Sequence, residues 1–183
     1  MQRLGKSAAY FDVPLDIHAV FQALDEVVRQ LEPQAHRIRL LVSRDGNSQI
    51  QTFPLQPAED VGTTRVVLAK NSVDSQEAFL FHKTTHREVY EKAMADFPDC
   101  DDVILWNEQG EVTESTIANV VIRKSGKLIT PPVECGLLAG TFRGLLLKMG
   151  EVEEEKILID DLLAADEIFL INSVRKWRSV VIR

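Results

Sequence analysis

The sequence has 183 residues, of which 45% are hydrophobic and 27% charged, and its formal net charge is −7 at pH 7. These values are typical of a soluble globular chain with one large or two small domains, and the acidic balance excludes nucleic acid or an anionic membrane as the main partner. No apolar stretch approaches the roughly 20 residues that span a bilayer, and no secretion signal is visible. Cys100 and Cys135 have neither metal-ligand spacing nor the pattern of a disulfide framework, so we expect a cytoplasmic protein without a metal site.

Residues 1–74 predict a small domain with one helix on an antiparallel sheet. Apolar residues recur at helical spacing over 16–31, Pro14 and Asp16 are suitable start signals, and Pro33 ends the helix. The turn 44–47 predicts a hairpin between the first two of three strands. The predicted strands are 37–43, 48–53 and 64–70. We place the domain boundary between residues 74 and 75, in a polar stretch.

Residues 75–183 predict a larger domain in which helices and strands are mixed. The predicted helices are 85–95 and 142–148, with a short helical stretch at 160–165. The predicted strands are 102–106, 119–124, 127–130, 156–159 and 167–171. No internal repeat is present, and the whole chain therefore predicts an α+β fold.

Lys83 is the first candidate for chemistry, in the segment FHKTTHR at 81–87. An apolar lead-in predicts that this lysine stands at the end of a buried segment, beside other cations. Both conditions disfavour the protonated amine, as a Schiff-base lysine requires. Taken alone, an exposed lysine at a helix start is the commoner explanation.

Glu114 and Asn119 belong to the polar segment EVTESTIAN at 111–119, between two apolar strands. A carboxylate held there among small hydroxyl residues is suited to pair with a protonated ring nitrogen, which makes a pyridine ring an electron sink. An ordinary polar strand edge is the alternative.

Two later segments offer groups that could bind a ligand. Gly140 precedes an apolar helix, and the amides at a helix N-terminus favour an anion that glycine allows to come close. Asn172 and Ser173 offer short hydrogen-bonding groups at the end of the last predicted strand. Each signal is weak alone, because a glycine before a helix and a polar strand-ending turn are both common.

Together, and in this order, the four segments resemble the fold-type IV pyridoxal-phosphate enzymes, also called class IV aminotransferases. That family has a lysine, a Glu-x-x-x-x-Asn segment, a Gly-x-x-Arg helix start and a late strand end, here Lys83, Glu114 with Asn119, Gly140 with Arg143, and Asn172 with Ser173. The resemblance is firm from Phe79 onward and looser before it. It implies two domains, a small N-terminally shortened α/β domain and a larger mixed β pseudo-barrel with helices.

The resemblance also implies the cofactor, pyridoxal 5'-phosphate, and a role for each matched residue. Lys83 would bond the cofactor and later move protons, and Glu114 would pair with its pyridine nitrogen. The amides of Thr141 and Phe142 would hold the phosphate. Arg3, in the segment QRL at 2–4, resembles an arginine that binds the phosphate in this family. The other implied cofactor-binding positions are Asn119, Gly140, Asn172 and Ser173.

Within the family, the segments HKTTHR at 82–87 and NSVRKW at 172–177 look like 4-amino-4-deoxychorismate lyase modules fused to a synthase component. The implied reaction yields 4-aminobenzoate and pyruvate on the route to folate. The substrate has two carboxylates, so Arg39 and Arg44 are candidate substrate-binding residues, with a plain surface role as the alternative. Transamination of D- or branched-chain amino acids and a non-catalytic relative are the other hypotheses.

In family members several strands precede the arginine that Arg3 resembles. We therefore expect this chain to be a fragment of a fused protein or a shortened relative. Since family members usually form dimers, we also expect a homodimer, and unpaired strand edges would add to that tendency.

Overall fold

The computed structural model of the protein describes residues 1–55 and 64–183. Two compact units are present, Met1–Glu59 and Asp60–Arg183. Among the described residues, no helix is long and apolar enough to cross a membrane.

The first unit contains two helices and a hairpin: α1 (Gln2–Tyr10), α2 (Ile17–Arg29), β1 (His36–Val42) and β2 (Ser48–Pro54). The predicted start of α2 is confirmed, because the Asp16 carboxylate accepts hydrogen bonds from the amides of His18 and Ala19. The predicted hairpin is also present, with β1 and β2 antiparallel. Helix α1 was not predicted, since Gly5 and several polar residues weaken its apolar pattern.

The second unit contains the remaining elements. The helices are α3 (Ala78–Phe81), α4 (Glu88–Ala95), α5 (Thr141–Met149) and α6 (Ile159–Leu163), with one 3-10 turn at Val133–Cys135. The strands are β3 (Thr64–Leu68), β4 (Asp102–Trp106), β5 (Val112–Ser115), β6 (Asn119–Lys124), β7 (Lys127–Thr130), β8 (Glu153–Glu154), β9 (Glu167–Asn172) and β10 (Lys176–Ile182).

The strands of the second unit form one sheet that closes on itself. Their order is β5-β4-β3-β10-β9-β6-β7-β8, and an additional pairing joins β5 to β6. Because β5 pairs with both β4 and β6, the six strands from β5 to β6 form a closed barrel, and β7 and β8 extend it. The predicted α+β class with a mixed β pseudo-barrel is therefore confirmed.

Three apolar clusters show how the barrel is packed. Ile104, Val120 and Leu170 belong to the cluster that the barrel strands share. Neighbouring residues on the same strands point the other way: Val103 packs with α3 and α4, and Val121 packs with α5. The strands are thus buried on both faces, which explains their unbroken apolar runs.

The structure differs from the prediction in the assignment of β3. This strand pairs in parallel with β10 and with β4, so it belongs to the barrel and not to the small N-terminal sheet. The division between the units consequently lies at Glu59–Asp60, earlier in the chain than the predicted boundary after residue 74. Parallel partners are distant in sequence, and a local pattern does not reveal them.

The predicted strand at 156–159 is wrong. This stretch joins the sheet only through an isolated bridge between Glu111 and Leu158, and the helix α6 begins at Ile159. The preceding acidic residues Glu153 and Glu154 form the short strand β8 instead. Besides β8, the strands β5 and β10 were also not predicted as such.

Candidate active site

The pairing that closes the barrel brings Glu114 and Asn119 together. Glu114 is opposite Asn119 in the antiparallel β5–β6 pair, and directly opposed residues in such a pair present their side chains on the same face. Both residues are buried. The Asn119 Nδ2 donates to Glu114 Oε2 at 3.4 Å and to the Leu138 carbonyl at 2.9 Å.

A tight turn between β5 and β6 maintains this opposition. The Ser115 hydroxyl accepts from the Ala118 amide at 3.0 Å. The buried Asp102 carboxylate on β4 accepts from the Thr116 amide at 3.1 Å and from the Thr116 hydroxyl at 2.6 Å. The hydroxyl residues that come after Glu114 in the sequence therefore position the turn.

Glu114 is a buried carboxylate with several hydrogen-bond donors around it. Its Oε1 accepts from the Tyr90 hydroxyl at 2.7 Å and from the Leu138 amide at 3.2 Å. Burial raises the pKa of Glu114 to about 7, although these two hydrogen bonds and the charges of Lys83 and Arg87 act to lower it. A carboxyl group near half ionisation at neutral pH is able to share a proton with a bound base.

Lys83 lies between α3 and α4, close enough for its charge to lower the pKa of Glu114. The preceding Leu80 is buried in the cluster beside α4. Lys83 itself is exposed, although the sequence predicted a lysine at the end of a buried segment. The apolar lead-in ends with α3, and the chain turns outward after it.

Gly140 is the residue before α5, and its lack of a side chain is required here. A Cβ atom at this position would lie 2.0 Å from Asn119 Oδ1 and 3.2 Å from Asn119 Cγ. The start of α5 is therefore packed against the same asparagine that contacts Glu114. Thr141 and Phe142 are the first residues of the helix, where backbone amides have no acceptor within the helix.

We expect Gly140→Ala to lower the free energy of unfolding by about 1–2 kcal/mol, because Asn119 must move and lose its bond to the Leu138 carbonyl. Gly144→Ala is the matched control. It lies within α5 with nothing inside 4 Å of the added Cβ, and alanine should stabilise the helix by about 0.5–1 kcal/mol. Urea unfolding of both variants measures the difference. Equal effects would contradict the tight contact at Gly140.

Arg143, the arginine of the Gly-x-x-Arg pattern, has a structural environment. It is buried, its Nη2 donates to the Pro131 carbonyl at 2.7 Å, and it pairs with Glu154. Among the described residues, its Nε has no hydrogen-bond partner. Arg143 thus joins α5 to Pro131 and to β8.

Asn172 and Ser173 lie at the turn between β9 and β10. Asn172 Oδ1 accepts from the amides of Val174 at 3.0 Å and Arg175 at 2.8 Å, so it organises its own turn. Ser173 is exposed. Aromatic contact brings this hairpin to the start of α5, since the rings of Phe142 and Trp177 are 6.3 Å apart.

Arg3, Arg39 and Arg44 belong to the first unit. Arg3 is half-buried in the first turn of α1, whereas Arg39 on β1 and Arg44 in the hairpin turn are exposed. Their predicted roles towards phosphate and substrate stay predictions.

Tyr90 and Leu138 were missed from the sequence, although both contact the central carboxylate. Tyr90 occupies the buried side of α4 and is the polar member of an otherwise apolar cluster. A tyrosine on the apolar face of the helix after Lys83 was the available signal, because a buried hydroxyl requires a partner. Leu138 acts through its amide, which no side-chain pattern reveals.

Comparison with known proteins agrees with this geometry. The amino-transferase class IV family profile matches residues 1–182. The chain is 36% identical to a Schizosaccharomyces pombe protein provisionally named an aminodeoxychorismate lyase, covering 76% of this chain and 64% of that protein. It is 30% identical to a Thermotoga maritima protein provisionally named a branched-chain-amino-acid aminotransferase. That match covers 93% of this chain and 66% of the Thermotoga maritima protein.

A crystal structure from Mesorhizobium loti, provisionally described as an amino-acid aminotransferase, has a TM-score of 0.91 at 34% identity. It matches all of this chain, which in turn covers 89% of that one. The chain spans somewhat less than two thirds of the length of the two curated relatives. The chain belongs to the class IV aminotransferase family.

Proposed function

We propose that this chain forms the cofactor-binding part of a pyridoxal-phosphate-dependent lyase, which converts 4-amino-4-deoxychorismate to 4-aminobenzoate and pyruvate. The observation that carries the cofactor assignment is the buried Glu114 carboxylate, with a pKa raised to about 7 at the closure of the barrel, within electrostatic range of Lys83. The similarity to the Schizosaccharomyces pombe protein and the segment at 82–87 favour the lyase.

The residues present fit pyridoxal phosphate. Glu114 is a buried acceptor for the pyridine nitrogen, and Lys83 is an amine whose charge acts on that carboxylate. Gly140 keeps the start of α5 free of a side chain, and the amides of Thr141 and Phe142 are suited to the phosphate. Asn172, Ser173 and Arg3 complete the proposed set of cofactor contacts.

When bound, the cofactor would supply an electron sink for charge that develops on the substrate carbon. Lys83 Nζ would remove the proton from that carbon and later return a proton to the product side. Glu114 would keep the ring nitrogen protonated, because an ionised carboxylate stabilises the positive charge. The buried surroundings of Glu114 exclude water from this hydrogen bond and strengthen it.

Transamination of a D- or branched-chain amino acid is the second candidate, supported by the Thermotoga maritima relative and the Mesorhizobium loti structure. It would use the same Lys83 and Glu114, and the two reactions would differ only in the steps after proton removal. The products therefore decide between the two reactions.

The test is a product assay on the purified chain supplied with pyridoxal phosphate. Release of 4-aminobenzoate and pyruvate from 4-amino-4-deoxychorismate would support the lyase. Formation of a keto acid from D-alanine or L-leucine with 2-oxoglutarate, without 4-aminobenzoate, would replace it by the aminotransferase. Neither product, together with no bound cofactor, would favour a non-catalytic relative. The proposal includes a homodimer, which sedimentation tests. It also includes a cytoplasmic location and a role in folate synthesis, and cell fractionation tests the location.

For the substrate carboxylates, we expect Arg39→Ala or Arg44→Ala to raise KM about tenfold with little change in kcat, as loss of one ionic contact to substrate would. Arg29→Ala, at the exposed end of α2, is the control and should leave KM unchanged. Unchanged KM in both test variants would assign Arg39 and Arg44 to the protein surface.

A further inference from the structure

We propose that Tyr90 is a positioning residue for Glu114. The Tyr90 hydroxyl occupies Oε1 of Glu114 and so leaves Oε2 of Glu114 as the oxygen that receives the pyridine nitrogen. The inference rests on the proposed function, because the ring nitrogen belongs to pyridoxal phosphate. It adds a residue from α4 to a site otherwise formed by strands, loops and the start of α5.

The two oxygens of Glu114 differ in how fully they are used. Oε1 has two donors, the Tyr90 hydroxyl at 2.7 Å and the Leu138 amide at 3.2 Å. Oε2 has the Asn119 amide at 3.4 Å, and the same nitrogen makes its shorter bond, 2.9 Å, to the Leu138 carbonyl. Since each carboxylate oxygen can accept two hydrogen bonds, Oε2 is the oxygen with accepting capacity left.

The direction of the Tyr90 hydrogen bond is fixed by its surroundings. Burial, and then the charge and hydrogen bond of Glu114, raise the pKa of Tyr90 far above its ordinary value of 10. The phenol therefore keeps its proton at any physiological pH and acts as the donor. This hydrogen bond favours the ionised form of Glu114 and so opposes part of the effect of burial.

Arg87 holds the tyrosine ring in place. Its guanidinium lies 4.6 Å from the centre of the Tyr90 ring, and its Nη2 donates to the Thr116 carbonyl in the β5–β6 turn. Helix α4 is thereby tied to the turn that presents Glu114, and the hydroxyl has little freedom to move away from Oε1.

Five groups face Glu114 and set its proton affinity. They are the Tyr90 hydroxyl from α4, the charges of Lys83 and Arg87 from the segment before α4, the Leu138 amide, and the Asn119 amide from β6. Removing the Tyr90 hydroxyl alone removes one of the contributions that oppose burial. We expect Tyr90→Phe to raise the proton affinity of Glu114 roughly tenfold, as loss of one hydrogen bond to a charged acceptor would.

The direct test is a 13C NMR titration of the cofactor-free chain, labelled at glutamate carboxyl carbons. Glu114 is identified by the resonance that disappears in Glu114→Gln. Its midpoint should be near 7 in the wild type and in Tyr10→Phe, which removes the exposed tyrosine hydroxyl of α1, and higher by about one pH unit in Tyr90→Phe. An unshifted midpoint in Tyr90→Phe would overturn the role of Tyr90.

Cofactor binding provides the second readout. Because the ionised form of Glu114 pairs with the ring, Tyr90→Phe should bind pyridoxal phosphate about fivefold more weakly near neutral pH and about equally well two pH units higher. A loss of affinity that is the same at every pH would indicate a merely structural effect and overturn the inference. A wild type that binds no cofactor would instead overturn the proposed function, while the NMR titration still decides the Tyr90–Glu114 contact.

A further measurement keeps the Tyr90 hydroxyl in place, and it applies if Tyr90→Phe fails to fold. The chain has two tyrosines, so in Tyr10→Phe the incorporation of 3-fluorotyrosine labels Tyr90 alone. Its 19F resonance should titrate with the midpoint of Glu114 and stop titrating in Glu114→Gln. A resonance that does not respond over this pH range would contradict the proposed hydrogen bond.

Discussion

Lys83→Ala should abolish covalent capture of pyridoxal phosphate. After borohydride reduction, the wild type should gain the mass of one cofactor, and the variant should gain none. The physical reason is that alanine has no amine, and the ε-amine of Lys83 is the group that we propose bonds the cofactor aldehyde. Formation of 4-aminobenzoate should fall about a thousandfold, because the general base is lost together with the attachment point.

Lys92→Ala is the control for this experiment. Lys92 lies on α4, has a side chain that is 75% exposed and pairs with Glu88 one turn earlier in the helix. It should be labelled and active like the wild type. Capture of the cofactor by Lys83→Ala, with the added mass mapped to another lysine, would contradict the assignment of Lys83.

Glu114→Gln should have opposite effects on activity and on stability. The neutral amide is not able to hold a protonated pyridine nitrogen, so we expect the rate of 4-aminobenzoate formation to fall about a hundredfold or more. Cofactor affinity near neutral pH should fall with it. The absorbance of bound pyridoxal phosphate and the product assay measure the two quantities.

The stability effect arises from the pKa of Glu114. Its folded value of about 7 lies above its ordinary value of 4.5, so the folded chain binds the proton more strongly than the unfolded chain. The stabilisation from this group is complete below about pH 4.5 and is lost as the pH rises through 7, by up to about 3 kcal/mol. Glu114→Gln removes this dependence.

We therefore expect the free energy of unfolding of the cofactor-free wild type to fall by about 2–3 kcal/mol more than that of Glu114→Gln between about pH 5 and about pH 8. Urea unfolding measures this, monitored by tryptophan fluorescence, since Trp106 and Trp177 both belong to the unit that contains Glu114. The two chains differ only at residue 114, so the contributions of all other groups cancel in the difference. If the free energies of unfolding of the two chains changed in parallel with pH, ionisation of Glu114 would not destabilise the folded state.

Opposite effects of Glu114→Gln on activity and stability would indicate that Glu114 is placed for chemistry at the expense of stability. A buried carboxylate whose pKa is raised weakens the fold at neutral pH, and a bound ring with a protonated nitrogen would relieve that cost. Cofactor binding should consequently stabilise the second unit most strongly above pH 7.

Local sequence patterns predicted several elements of the second unit with accurate bounds. Strands β4, β6 and β7 have the predicted bounds, because each is a short apolar run next to a clear turn. Ser125 and Gly126, between β6 and β7, both have positive φ, which is the conformation of a two-residue hairpin turn. The start of α5 after Gly140 was likewise visible as a glycine before an apolar helical run.

The same patterns did not reveal how distant segments pair. Strand β3 lies between two parallel partners, β4 and β10, and β10 comes from the end of the chain. Strand β5 was not distinguished from a polar loop because Thr113, Glu114 and Ser115 are polar although they are buried. Barrel closure buries them, and closure is a property of the whole sheet.

The sequence by itself determined the family, the order of the candidate residues and the cofactor that they imply, since these depend on residue types at particular spacings along the chain. Tertiary structure alone decided that Glu114 lies opposite Asn119, that Gly140 packs on Asn119, and that Tyr90 donates to Glu114. The reason is physical: burial and hydrogen bonds between segments distant in sequence set the pKa and the free acceptor of Glu114, and neither is encoded in any one segment.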